Sequence, residues 1–218
     1  MKLNNIKQYQ LVIFDWDGTL MDSVGKIVDC MQSVAQSLAL DIPSEQAVRD
    51  IIGLSLLPAL EKLFPHHGNK YDELIAGYKH YYLNVNLTPS PLFDGIEHLL
   101  AQLKTAGYTL AIATGKRRAG LDRMLAETGL GQYFVATRSA DEAHSKPHPS
   151  MILSLLEELN INADQAVMIG DSKLDIAMAN NAKVNSIAVT YGAHSLEDLL
   201  TEGPTATVNQ PKDILLHI

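Results

Sequence analysis

Short runs of β-favouring apolar residues alternate with helical stripes along most of this chain, and few folds accommodate that rhythm. The runs are Leu11-Val12-Ile13-Phe14, Thr109 to Thr114, Tyr133-Phe134-Val135-Ala136, Ala166-Val167-Met168-Ile169 and Ser186 to Thr190. The second, fourth and fifth are nearly continuous in apolar character, as strands covered on both faces must be. Between them, Ile96, Leu99, Leu100 and Leu103 fall at helical spacing before Gly107, which has the character of a helix stop. Met151, Leu155, Leu156 and Leu159 repeat the stripe. The pattern predicts an α/β fold built on a doubly wound parallel sheet. Leu199 to Ile218 is expected to complete it with a short strand and a helix.

One interval breaks the rhythm. About seventy residues after the first strand read as helix. Ile27, Cys30, Met31, Val34 and Leu38 make one stripe, Ser44 is placed to cap the next helix, and Leu56 to Phe64 and Tyr71 to Leu83 form further segments. Pro89, Pro91 and Gly95 mark the return to the α/β pattern. Residues 18–88 are therefore read as an inserted all-helical domain, with 1–17 and 89–218 forming the α/β core.

Composition excludes several classes. With 218 residues, 46% apolar and 19% charged, the chain can bury a core and is neither disordered nor low in complexity. Its single cysteine, Cys30, excludes a disulfide framework and a Cys-rich zinc site, and on an apolar stripe it reads as inert core. No apolar run reaches a membrane span. The opening residues, Met1-Lys2-Leu3-Asn4-Asn5, do not resemble a signal peptide, so the expected address is the cytoplasm. A net charge of −8 disfavours nucleic acid and anionic membrane as partners.

In open α/β sheets ligands sit beyond the carboxyl ends of the strands. Those ends carry Asp15-Trp16-Asp17-Gly18-Thr19, then Thr114-Gly115-Lys116, then Gly170-Asp171-Ser172-Lys173-Leu174-Asp175. Carboxylates converging this closely must protonate or bind a cation. Oxygen ligands without His or Cys suit Mg²⁺ rather than zinc, and Mg²⁺ points to a phosphorylated substrate. Asp15 and Asp17, two apart in extended chain, point the same way. One can attack phosphorus while the other moves protons to the leaving oxygen and from water. Thr114 can bond a phosphate oxygen, and Ser145-Lys146-Pro147 supplies a lysine to balance charge.

Asp15-x-Asp17-Gly18-Thr19-Leu20-x-Asp22-Ser23, Thr114, Lys146-Pro147 and Gly170-Asp171-Ser172-x-x-Asp175 together resemble the ordered motifs of the haloacid dehalogenase (HAD) superfamily. The resemblance covers nearly the whole chain. The insert is similar to the cap of the subfamily holding phosphoglycolate phosphatases, β-phosphoglucomutases and pyrophosphatases. This resemblance implies a Rossmann-like core, a helical cap, and a Mg²⁺-dependent phosphatase of a small, phosphoglycolate-like metabolite; separately, a monomer or homodimer is expected. It implies that Asp15 is the nucleophile and Asp17 the general acid/base. Thr114, Gly115 and Lys146 would hold the phosphoryl group. Mg²⁺ would take Asp15, a backbone carbonyl of Asp17, and Asp171. Asp175 would orient Lys146 or meet the metal through water. Gly115 departs from many relatives, which carry Asn there, and that bears on substrate handling near Lys116 and Arg117.

Three positions keep two readings. Asp22 and Ser23 either cap the first insert helix or meet substrate. Gly53, in Ile51-Ile52-Gly53-Leu54-Ser55, either breaks a helix or shapes specificity. Thr88–Pro91 and Gly18-Thr19 are the expected hinges of the insert. His66-His67 reads as a solvated turn. The aspartyl-phosphate could also pass to a sugar hydroxyl, as in a phosphoglucomutase-type transferase, or the substrate could be pyrophosphate. Dehalogenation needs neither Mg²⁺ nor Asp17. A non-catalytic scaffold would have lost a core carboxylate or the lysine, and none is missing.

Overall fold

The computed structural model describes residues 9–218. Residues 1–8 lie outside the described residues, and with them the opening stretch that bears on a signal peptide. Six parallel strands form one sheet: β1 (Leu11–Phe14), β2 (Thr109–Ala113), β3 (Ala136–Arg138), β4 (Ala166–Gly170), β5 (Asn185–Val189) and β6 (Ala206–Val208). Their order is β3-β2-β1-β4-β5-β6. The order reverses between β1 and β4, which places the ligand crevice there.

Strand periodicity of two sorts the core onto two faces. Val12 and Phe14 of β1 face one side, where they meet Leu99, Leu100 and Leu103 of α5 (Ile96–Thr105) and Leu121 of α6 (Arg118–Thr128). Leu11 and Ile13 face the other, against Met151, Ile152 and Leu155 of α7 (Ser150–Leu159) and Met178 of α8 (Lys173–Asn181). Each fully buried leucine in these layers is worth about 1.5–3 kcal/mol of transfer free energy. Gly107 ends α5 with φ +81°, a left-handed backbone that side chains disfavour.

Between β1 and α5 the chain is helical: α1 (Val24–Ser37), α2 (Glu45–Arg49), α3 (Leu56–Leu63) and α4 (Tyr71–His80), the last running on into a π-helical turn, Tyr81–Val85. These helices bury their own cluster, centred on Val34, Leu60 and Leu74. Ser44 caps α2 by accepting the Ala47 N–H at 3.1 Å. The two chain segments joining cap to core lie side by side, with Asp22 N–H donating to Pro91 O at 2.8 Å and Phe93 N–H to Leu20 O at 3.0 Å. Among the described residues no helix is long and apolar enough to cross a membrane.

The third strand differs from expectation. The run Tyr133 to Ala136 enters the sheet only at Ala136, and Leu130–Tyr133 is a 3₁₀ turn. Tyr133 and Phe134 fill the core edge from that turn, with Phe134 edge-on to Phe14 at 6.3 Å between ring centroids. Aromatic bulk there serves packing rather than strand pairing. At the C-terminus the expected strand is β6, and the expected helix is a 3₁₀ segment, Pro211–Leu216, that buries Ile214. A short α9 (Leu196–Leu200) precedes β6.

Candidate active site

Asp15 is the first residue beyond β1, and its N–H donates to Ile169 O on β4 at 3.0 Å. The chain then turns sharply: Trp16 O accepts from the N–H groups of Thr19, Leu20 and Met21 at 3.3, 3.0 and 3.1 Å. Gly18 sits in the turn at φ +78°, and a Cβ there would run into the Asp171 carboxylate, so the position requires glycine twice over. Trp16 is wholly buried behind the site, donating its indole N–H toward Met21 Sδ at 3.4 Å.

Three buried carboxylates meet at this turn. Asp15, Asp171 and Asp175 each offer an oxygen within 4.8 Å of the others. Asp171 is fixed by Thr19, whose hydroxyl donates to Oδ1 at 2.8 Å, and by the Ala193 N–H, which donates to Oδ2 at 2.7 Å. Asp175 stands at the third position of α8 in a capping box: Oδ2 accepts the Ser172 N–H at 3.1 Å and its hydroxyl at 2.6 Å, while Ser172 Oγ accepts the Asp175 N–H at 3.3 Å. Lys146 is 1% exposed and bridges the pair. Its Nζ lies 2.8 Å from Asp15 Oδ1 and donates to Asp175 Oδ1 at 2.6 Å.

Burial dominates the electrostatics here. It raises Asp15 from 3.8 to about 7 against the opposing pull of Lys146, with Asp175 and Asp17 adding to the rise. Asp171 is pushed well up by burial and by the neighbouring Asp175 and Asp15 charges. Burial acts to depress Lys146, but Asp15 and Asp175 outweigh it and hold the ammonium charged. Carboxylates that favour protonation for want of cationic charge are the ones a dication relieves. Hard oxygen donors at this separation fit Mg²⁺, which Asp15 and Asp171 would hold, supplying the positive charge that the buried cluster lacks.

Asp17 stands apart from that cluster, on the cap side. Ser23 Oγ donates to its Oδ1 at 2.6 Å, and Lys116 Nζ lies 2.9 Å from Oδ1 and 2.8 Å from Oδ2. Ser23 occupies the N-cap position of α1 but makes no side-chain cap bond; its hydroxyl serves Asp17 instead. Asp22 is exposed. Thr114 is buried at the end of β2, and its Oγ1 accepts the Lys116 N–H at 3.3 Å. The Lys116 ammonium also lies 5.5 Å from the centre of the Tyr82 ring, which comes from the cap.

The cap meets the core at further points as well. Ser55 N–H donates to Ser145 Oγ at 2.9 Å, next to Lys146. Gly53, at φ +101°, lies flat on Gly115: a Cβ on Gly115 would stand 2.5 Å from Gly53 O and 2.7 Å from Leu54 O. No side chain, asparagine included, has room there in this arrangement. Beneath the cap lies a cavity of about 490 Å³ that reaches Asp15, Asp17, Thr114 and Gly115.

The structure thus brings Asp15, Asp17, Thr114, Gly115, Lys146, Asp171 and Asp175 from four separate segments to one end of the sheet, with Asp17 on its cap side. Gly53 faces the site as well as breaking helix. Cys30 is buried in the cap, where burial raises its thiol to about 11, and His66 is exposed. Sequence reasoning passed over Lys116 as the partner of Asp17, Thr19 as a support of Asp171, and the loop after β5. The last was findable by the same strand-end rule, since Thr190-Tyr191-Gly192-Ala193-His194 follows β5 directly and supplies the Ala193 N–H. His194 packs in that loop, its Nδ1 accepting the Lys173 N–H at 2.9 Å.

Comparison with known proteins agrees with this geometry. The family model for haloacid dehalogenase-like hydrolases matches residues 12–189. The chain belongs to this family. It is 34% identical to a Dickeya dadantii protein described as "Probable phosphatase IndB", over 94% of this chain and 91% of that one. It is 30% identical to a Vibrio cholerae phosphoglycolate phosphatase, over 91% and 92%. A crystal structure from Clostridium acetobutylicum, described as a "predicted phosphatase", superposes with a TM-score of 0.85 at 29% identity, covering 96% of this chain and 99% of that one. The HAD chain described here is an enzyme of the phosphatase type within that hydrolase family.

Proposed function

We propose that this HAD enzyme is a Mg²⁺-dependent phosphomonoesterase acting on a small phosphorylated metabolite through an aspartyl-phosphate on Asp15. The observation that carries the reading is the division of labour between two aspartates on one turn. Asp15 is locked against Lys146 in the buried cluster, while Asp17 is held by Ser23 and Lys116 on the side of the cavity. One is placed to attack phosphorus and the other to meet the leaving oxygen.

In the first step an Asp15 oxygen bonds to phosphorus and the ester P–O bond breaks. The proton that the departing alkoxide needs comes from the Asp17 carboxyl. In the second step Asp17 takes a proton from water, the water oxygen bonds to phosphorus, and the Asp15–phosphorus bond breaks to give inorganic phosphate and the free carboxylate. Thr114 donates to a phosphoryl oxygen, and Lys146 balances charge on the transferring group, oriented by Asp175. Mg²⁺, held by Asp15, Asp171 and the Asp17 carbonyl, would offset the repulsion between nucleophile and phosphate. The cap excludes bulk water while this happens. Likeness to phosphoglycolate phosphatases supports a phosphorylated metabolite as substrate, and the acidic, membrane-averse sequence supports a cytoplasmic setting.

The test is phosphate release by the purified protein across a panel of phosphomonoesters, with Mg²⁺ and with EDTA. The expected result is Mg²⁺-dependent release from the wild type and none from Asp15→Asn. Release in EDTA, or from the variant, refutes it.

A further inference from the structure

The cavity under the cap has a composition that a small phosphorylated acid does not match. Its volume, about 490 Å³, lies in the range typical of drug-sized ligands. One end carries Asp15, Asp17 and Thr114; the wall opposite, supplied by the cap, is apolar and aromatic. Ile27 and Met31 come from α1, Ile52 and Leu56 from the α2–α3 region, and Tyr78 and Tyr82 from α4 and the turn that follows it. Met31 and Ile52 are packed behind the wall, while Leu56, Tyr78 and Tyr82 are only partly buried and present surface to the cavity. The two tyrosine rings lie 5.9 Å apart and form a single aromatic surface.

Several of the cations around the cavity already have partners. Lys116 is bound to Asp17. Arg117 pairs with Asp141 at 3.3 Å, and Arg123 with Glu127 at 3.6 Å. Lys79 is exposed at the rim. A second carboxylate on the substrate would be desolvated against Ile, Met and Tyr side chains, with Lys116 and Arg117 already paired, Lys79 at the solvent edge and Lys26 against the Tyr82 ring at 4.9 Å, at a cost of several kcal/mol.

Building on the phosphatase reading above, we infer that the preferred substrate is a phosphomonoester of an uncharged alcohol with a bulky apolar or aromatic body, rather than a short phosphorylated acid. The core reads the phosphoryl group, and the cap reads the body by apolar contact, including stacking on Tyr78 and Tyr82.

Two measurements separate this inference from the reading it rests on. The first is kcat/KM, with Mg²⁺, for 2-phenylethyl phosphate, ethyl phosphate and 2-phosphoglycolate. The first two are both esters of primary alcohols, so leaving-group chemistry does not bias the comparison. The expected preference for the phenylethyl ester over both others is about tenfold or more. The preference over ethyl phosphate should collapse toward unity in Tyr82→Ala and Ile52→Ser. The second is calorimetric binding of 2-phenylethylphosphonate and ethylphosphonate, which are not hydrolysed; about tenfold tighter binding of the first is expected. Absence of phosphate release from every ester, with selective phosphonate binding, would overturn the phosphatase reading and leave the cavity assignment standing. Preference for 2-phosphoglycolate, or equal binding of the two phosphonates, would overturn the cavity assignment.

Discussion

Gly115 shows how a single missing side chain fixes the relation between two domains. The cap lowers Gly53 and Leu54 onto a spot where even a methyl group collides with backbone carbonyls. Gly115→Asn should hold the cap off the core. Steady-state kinetics should then show kcat/KM lowered about 100-fold, the scale expected when groups are displaced by an ångström. The melting temperature should stay near that of the wild type, because the clash is at a separable contact; unchanged kinetics would contradict the clamp. Lys146 carries the opposite burden, since its removal leaves Asp15 and Asp175 facing each other unneutralised. Lys146→Ala should cost about 3–5 kcal/mol of stability in chemical denaturation, as for a buried pair that loses one partner.

At the scale of elements, α8 couples stability to chemistry. Its capping box spends both Ser172 and Asp175 on the helix start, yet Asp175 also aims Lys146. Ser172→Ala should therefore lose about 1 kcal/mol of stability, typical for an N-cap, and slow turnover as well. A variant that melts lower with undiminished kcat would show that the cap and the lysine are independent. The elements also show what can be read from residues alone. β1, β2, β4 and β5 announced themselves as apolar runs because both faces are covered. The run around Tyr133 misled because apolar bulk in a turn, with Phe134 against Phe14, looks the same in sequence as a strand. The motif carboxylates were legible because strand ends feed one crevice. The Lys116–Asp17 and Thr19–Asp171 contacts were not, because they join segments 99 and 152 residues apart or depend on side-chain direction within a turn.

At the scale of the whole molecule, the carboxylate cluster ties folding to metal and pH. Burial raises Asp15 from 3.8 to about 7 in the metal-free fold, so the folded protein retains a proton that the unfolded chain gives up at lower pH. That contribution to stability is fully present below about pH 4 and is lost as pH climbs through about 7. Mg²⁺ binds the deprotonated cluster and so competes with this proton. The rise in melting temperature on adding Mg²⁺ in place of EDTA should be larger at about pH 8 than at about pH 6. An equal rise at both values would mean the cation binds elsewhere.

The central claim, a phosphoryl group carried by Asp15, is open to direct observation. Rapid acid quench of the enzyme during turnover with Mg²⁺, followed by mass spectrometry of the peptide spanning β1 and its turn, should show one added phosphoryl group. The adduct should be absent in Asp15→Asn and should be removed by hydroxylamine, as an acyl phosphate is. Turnover without any adduct on that peptide, together with phosphate release by Asp15→Asn, would contradict the account.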